Sequence, residues 1–160
     1  MRNRLITGFI LLCLQLPALA APGTQVWQRQ APLDTTYQAV YQALEAHRFF
    51  VVFEPDIGKN LSRFAERWGE DYNRNGLEGI RAMVFCNAWY ANQVSNQDPE
   101  MLALCPLHLT LTHKAGLTRV LFLLPSHAAR GSAAEAIAAD LEAAVIEAVE
   151  AGLAGLPAAE

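Results

Sequence analysis

Cys86 and Cys105 are the residues in this 160-residue chain whose types and spacing most readily suggest chemistry. They lie at either end of the polar loop in FCNAWYANQVSNQDPEMLALCPLHL, residues 85–109, each at the end of an apolar run. A thioredoxin-type centre needs two cysteines two residues apart at a helix N-terminus, and haem attachment needs Cys-x-x-Cys-His; neither occurs. A metal site could recruit His108, but three steps along a strand from Cys105 turn the side chain to the opposite face. Strand parity groups Cys86 with Ile80, Ala82 and Val84, and Cys105 with Leu107, Leu109 and Leu111. Both sulfurs are therefore expected in apolar surroundings, which suppress thiol reactivity. A structural disulfide between Cys86 and Cys105 is the expectation, and a reversible thiol pair stays open beside it.

Three weaker constellations accompany the cysteines. DYNRNG, residues 71–76, matches the first half of a calcium loop through Asp71, Asn73 and Asn75. The position that should carry the bidentate Glu is Ala82, inside an expected strand, so an Asn/Gly turn is the competing reading. Trp89, Tyr90, Asn92 and Asn96 set aromatics beside amides and could line a ligand pocket or plug the end of a sheet. His108 shares an alternating polar stripe with Thr110 and Thr112, where an imidazole is usually solvated, and it joins Trp89, Tyr90 and Asn92 as an expected ligand-binding residue. No glycine-rich phosphate loop, nucleophile elbow or convincing carboxylate pair is present, so no catalytic residue and no cofactor are expected.

The compartment follows from the N-terminus. Residues 1–20, MRNRLITGFILLCLQLPALA, combine Arg2 and Arg4 with an apolar stretch from Leu5 to Leu16 and a small-x-small signal at Ala18-Leu19-Ala20. This is the pattern of a cleaved leader, and the stretch is shorter than the roughly 20 residues that span a bilayer. Cys13 lies within the apolar stretch, so a lipid anchor is not expected. The mature chain is expected to be periplasmic or secreted, with no membrane span, and that location favours disulfides. Removing Arg2 and Arg4 leaves ten basic against sixteen acidic residues, moving the formal charge from −4 to −6. Such a balance, with no basic run, argues against nucleic acid and anionic membrane as partners.

The elements that must position these residues form one domain, 21–152, followed by a low-complexity tail, 153–160, expected to fray. TQVWQRQ (24–30) reads as a strand. Asp34 then caps a helix whose apolar stripe is Tyr37, Val40, Tyr41 and Leu44. FFVVFE (49–54) is a continuous apolar run and reads as a buried strand. Ile57, Leu61, Phe64, Ala65 and Trp68 predict one helix, and GIRAMVFC (79–86) a strand. LCPLHLTLTH and LTRVLFLLP, joined by Lys114-Ala115-Gly116, predict a hairpin. A last helix opens with a Ser132/Glu135 capping box, buries Ile137, Leu141, Ala144, Val145 and Ala148, and ends at Gly152. The sum is an α+β two-layer sandwich, with a mixed sheet of about five strands and helices mainly on one face.

The stretch GEDYNRNGLEGIRAMVFCNAWYANQVSNQDPEMLALCPLHLTL, followed by Gly116-Leu117-Thr118 and the apolar run ending at Pro125, resembles family 302 of the domains of unknown function. It is most similar to the secreted proteobacterial branch. The resemblance rests on Phe85-Cys86-Asn87, Asp98-Pro99, Leu104-Cys105-Pro106 and the final Ala-rich helix, and it covers about residues 35–150. It implies a small α+β sandwich that tends to pair as a homodimer, and no established catalytic mechanism. Many cytoplasmic relatives read Leu-Pro-Cys where this chain reads Leu104-Cys105-Pro106, which moves the sulfur to the other strand face. No role of that relative's cysteine transfers to Cys105. A helix-ending glycine common before the second strand is also missing, with Arg48 in its neighbourhood.

Together these features predict a non-catalytic, disulfide-stapled envelope domain that binds a small ligand or a protein partner, including a second copy of itself. The alternative is a thiol-based accessory factor in periplasmic redox or sulfur chemistry.

Overall fold

The computed structural model describes residues 21–159, so the leader read in residues 1–20 lies outside the described residues. Eleven regular elements follow in order: β1 (Thr24–Arg29), α1 (Leu33–Ala46), β2 (Phe50–Phe53), α2 (Ile57–Ser62), α3 (Ala65–Trp68), β3 (Gly79–Cys86), α4 (Ala88–Gln97), β4 (Leu107–Lys114), β5 (Leu117–Leu123), α5 (Pro125–Ala128) and α6 (Glu135–Leu153). Two 3-10 turns, Gly69–Asp71 and Pro99–Leu104, complete the path.

The five strands form one sheet in the order β1-β5-β4-β3-β2, and every pair is antiparallel, where a mixed sheet was expected. β1 and β2 run in the same sense, but the crossover through α1 sets them at opposite edges, so no parallel neighbours arise. One face meets the helices. Trp27, Met83, Phe85, Leu107, Leu109, Leu111, Val120 and Phe122 pack there against Tyr37, Val40 and Leu44 of α1 and Leu141, Val145, Ala148, Val149 and Leu153 of α6. The α1 and α6 axes approach closely at Gly152, where a Cβ would stand 2.7 Å from the Ala39 carbonyl and 2.9 Å from Ala43 Cβ. Gly152 thus lets two helices touch and does not end α6, which continues to Leu153.

Several elements depart from expectation for physical reasons. The run expected to be a buried strand forms the edge strand β2. Only Phe49 before it is buried, while Phe50, Val52 and Phe53 are 55%, 66% and 62% exposed. An apolar run cannot by itself say whether a strand lies at the centre or the rim. The helix expected over 57–68 breaks into α2 and α3, and neither buries a residue. Asp34 does not cap α1. Pro32 precedes the helix, and Asp34 sits in its first turn, where its carboxylate accepts from Arg81. At α6 the capping box is offset. Ser132 Oγ accepts from the Ala134 amide, and the Glu135 carboxylate from the Gly131 amide.

Arg48 takes φ +64°, the left-handed conformation that glycine adopts at least cost, in the turn between α1 and β2. The turn therefore survives the missing glycine. Residues 153–158 lie against the rest of the domain. Leu153 is buried, Leu156 packs on the core, and the Pro157 carbonyl accepts from the Gln30 amide. Arg29 and Ala158 form an isolated bridge, so this segment lines the outer edge of β1.

Candidate functional site

Register locates the cysteines relative to one another. β3 pairs with β4 through Phe85 opposite Leu107, so one further step sets Cys86 beside Pro106, next to Cys105. Cys105 precedes β4, in extended backbone after the 3-10 turn, so strand parity does not extend to it. Both cysteines are half-buried free thiols. Burial, and then the nearby Cys86, push the Cys105 thiol above its ordinary range. The two sulfurs are therefore neighbours, although the face of Cys86 differs from that expected. Ile80, Ala82, Val84 and Cys86 lie opposite Arg81, Met83 and Phe85, on the side of the sheet away from the helix core.

Among the described residues, that second face lies away from the layer formed by α1 and α6. Its middle row runs Val26, Leu121, Thr110 and Ala82 across four strands. A second row carries His108, Val84 and Phe53, with Leu123 on the neighbouring strand and Phe50 beyond. A third carries Gln28, Arg119, Thr112 and Ile80. Of these residues only Ala82 is buried. None of the sixteen acidic residues falls within any of the five strands.

The residues expected around a ligand separate into two groups. Asn87 caps α4 by accepting from the Trp89 and Tyr90 amides, and it donates to the Arg48 carbonyl. Tyr90 stacks on Phe49 at 6.1 Å, meets Trp89 edge-on at 4.9 Å and places its hydroxyl 3.5 Å from the Asp140 carbonyl. Burial, then Asp140, raise its pKa. Tyr90 thus joins α4 to the core, while Trp89 and Asn92 remain exposed. His108 lies elsewhere, on the rim of a 120 Å³ apolar hollow lined by Leu104, Pro106, Leu123, Leu124 and Pro125.

The loop at Asp71, Asn73 and Asn75 is held by its own turn chemistry. The Asn73 side chain accepts from the Leu77 amide and donates to the Leu77 carbonyl. Asp71 pairs with Arg74, and the Lys114 ammonium donates to the Asn75 carbonyl. Among the described residues no group of three or more His, Cys, Asp or Glu side chains could hold a metal.

One polar cluster escaped sequence reasoning. The Tyr37 hydroxyl donates to Glu54 Oε2 at 2.7 Å and lies 3.3 Å from the Ala82 carbonyl, and the Arg81 guanidinium sits 3.6 Å above the Tyr37 ring. Burial, then Glu54, drive the Tyr37 pKa far upward, while Arg81 opposes them. The cluster borders a 360 Å³ cleft lined by Asp34, Glu54, Asp56, Lys59, Glu78 and Arg81. Its signal was Arg81 itself, a charge at a strand position whose parity matches Met83 and Phe85.

Nearby, Thr118, His113 and Glu78 make a row with the residue types of a nucleophile, base and acid. Thr118 Oγ1 donates to the Ala31 carbonyl at 2.7 Å, so at 2.8 Å it accepts the His113 Nδ1 proton. Thr118 is fully buried, so its hydroxyl cannot reach a substrate. The row is structural.

A solved structure shares the fold: an uncharacterised conserved protein DUF302 from Bacillus stearothermophilus, 18% identical, with a TM-score of 0.67 over 82% of this chain and 98% of that one. No curated protein matches the chain. The family model for DUF302, a domain of unknown function, matches residues 25–152, which take in the five strands but for Thr24 and α6 but for Leu153. This chain belongs to the DUF302 family.

Proposed function

We propose that this protein is a non-catalytic, secreted or periplasmic binding domain that pairs with a second copy of itself through the open face of its sheet. The observation that carries the reading is the contrast between that face and the sheet's two edges. At the outer edge of β2, Glu45 Oε1 accepts from the Val51 amide at 2.8 Å, and the C-terminal segment pairs along β1. Both edges are guarded against strand addition, while a carboxylate-free face of mixed apolar and threonine character remains open.

The dimensions suit a second copy. Five strands about 4.8 Å apart and about 20 Å long present roughly 500 Å² in projection, so two stacked faces remove about 1,000 Å² from solvent. That reaches the threshold for a specific interface. The absence of acidic residues from the strands means that stacking opposes no carboxylates, and the face's three basic side chains, His108, Lys114 and Arg119, lie outside its middle row.

In this reading a Cys86–Cys105 bond clasps the ends of the α4 arch. Closing a loop of about twenty residues would contribute on the order of 3 kcal/mol. The test is hydroxyl-radical footprinting of dilute and concentrated protein. Leu121, Leu123 and Phe53 should lose reactivity on concentration while Trp68 does not; uniform reactivity at both concentrations would refute the interface.

A further inference from the structure

We propose that Cys86 and Cys105 form a thiol–disulfide exchange site, Cys86 acting as the entry thiol and Cys105 as the resolving thiol, that accepts oxidising equivalents from a disulfide-bearing donor. The proposal goes beyond a static clasp and does not depend on pairing through the open face.

Four observations support it. Register sets Cys86 beside Pro106, the neighbour of Cys105, the Cys86 thiol is near enough to act on that of Cys105, and both are half-buried. They are the only cysteines in residues 21–160. Cys86 ends β3 at the margin of the open face, opposite Phe50 of the exposed edge strand, so a donor can approach it. Burial disfavours the Cys105 thiolate, which suits the thiol that acts second and within the molecule.

The steps balance. The Cys86 thiolate attacks one donor sulfur and breaks the donor's S–S bond, giving a mixed disulfide and a donor thiolate that takes up a proton. Cys105 then loses its proton and attacks Cys86 Sγ, forming the internal bond and expelling the second donor thiolate. Two electrons pass from the cysteine pair to the donor, which leaves as a dithiol.

The experiment equilibrates purified protein in buffers of varied reduced-to-oxidised glutathione ratio, traps free thiols with a maleimide and reads intact mass. The expected result is one transition in which both thiols vanish together and the mass falls by two hydrogens. Cys105→Ser should accumulate a glutathione adduct on Cys86 at least about tenfold faster than Cys86→Ser accumulates one on Cys105. Circular dichroism of both variants confirms that each is folded. Two adducts on the wild type without an internal bond, equal rates in the two variants, or a bond that persists at the most reducing ratio would each overturn the proposal.

Discussion

Glu45 Oε1 stands 2.8 Å from the Val51 amide nitrogen, and by accepting that proton it closes the outer edge of β2. The strand it guards is the most apolar and most exposed in the sheet. Glu45→Ala should leave this donor unsatisfied, cost about 1 kcal/mol and promote edge-to-edge association. Light scattering on heating should show earlier aggregation for Glu45→Ala than for Glu45→Gln, which keeps an acceptor.

Tyr37 makes stability depend on alkaline pH. Its pKa is raised in the folded state, so that state holds the phenolic proton after the unfolded chain has lost it. The contribution is complete below the ordinary tyrosine value of 10 and declines as pH rises above it. Tyr37→Phe should cost about 1–2 kcal/mol at neutral pH by removing the hydrogen bond to Glu54. It should also flatten the fall in urea midpoint above pH 10. An unchanged alkaline slope would show that other groups govern it.

Gly152→Ala opposes two effects. Alanine gains about 1 kcal/mol of helix propensity over glycine. Its methyl would also stand 2.7 Å from the Ala39 carbonyl, forcing α1 and α6 apart at a cost of about 1–3 kcal/mol. The net expectation is a lower melting temperature, and a higher one would show that the crossing yields easily.

Arg48→Gly should have the opposite sign. Relief of the left-handed backbone at φ +64° should exceed the added freedom of glycine in the unfolded chain, giving a gain of about 1 kcal/mol in denaturant unfolding. The Arg48 carbonyl, which accepts from Asn87, is unaffected by the change.

Element type was legible in the chain where periodicity was strong. GIRAMVFC and the β4–β5 hairpin fall where alternation put them, and the stripe on α1 buries Tyr37, Val40 and Leu44. What alternation could not supply was the identity of the covered face. Ile80, Ala82 and Val84 look more like core than Arg81, yet Arg81 lies on the core side because its guanidinium can cover the Tyr37 ring and reach Asp34. The apolar FFVVF run was misplaced for a related reason, since hydrophobicity is equally high at a buried centre and at an interaction edge. Nearness of Cys86 to Cys105 followed from their strand ends, but the side on which Cys86 projects needed the register.

The central claim, pairing through the open face, is tested most directly by sedimentation equilibrium of the wild type and of a Thr110→Glu/Leu121→Glu variant. These two residues are cross-strand partners in the middle row of that face. The wild type should sediment at about twice the chain mass, and the variant at the monomer mass with an unchanged circular dichroism spectrum, its dissociation constant weakened at least about a hundredfold by carboxylates desolvated in the interface. A monomeric wild type at high concentration, or a dimer indifferent to both substitutions, would contradict the account.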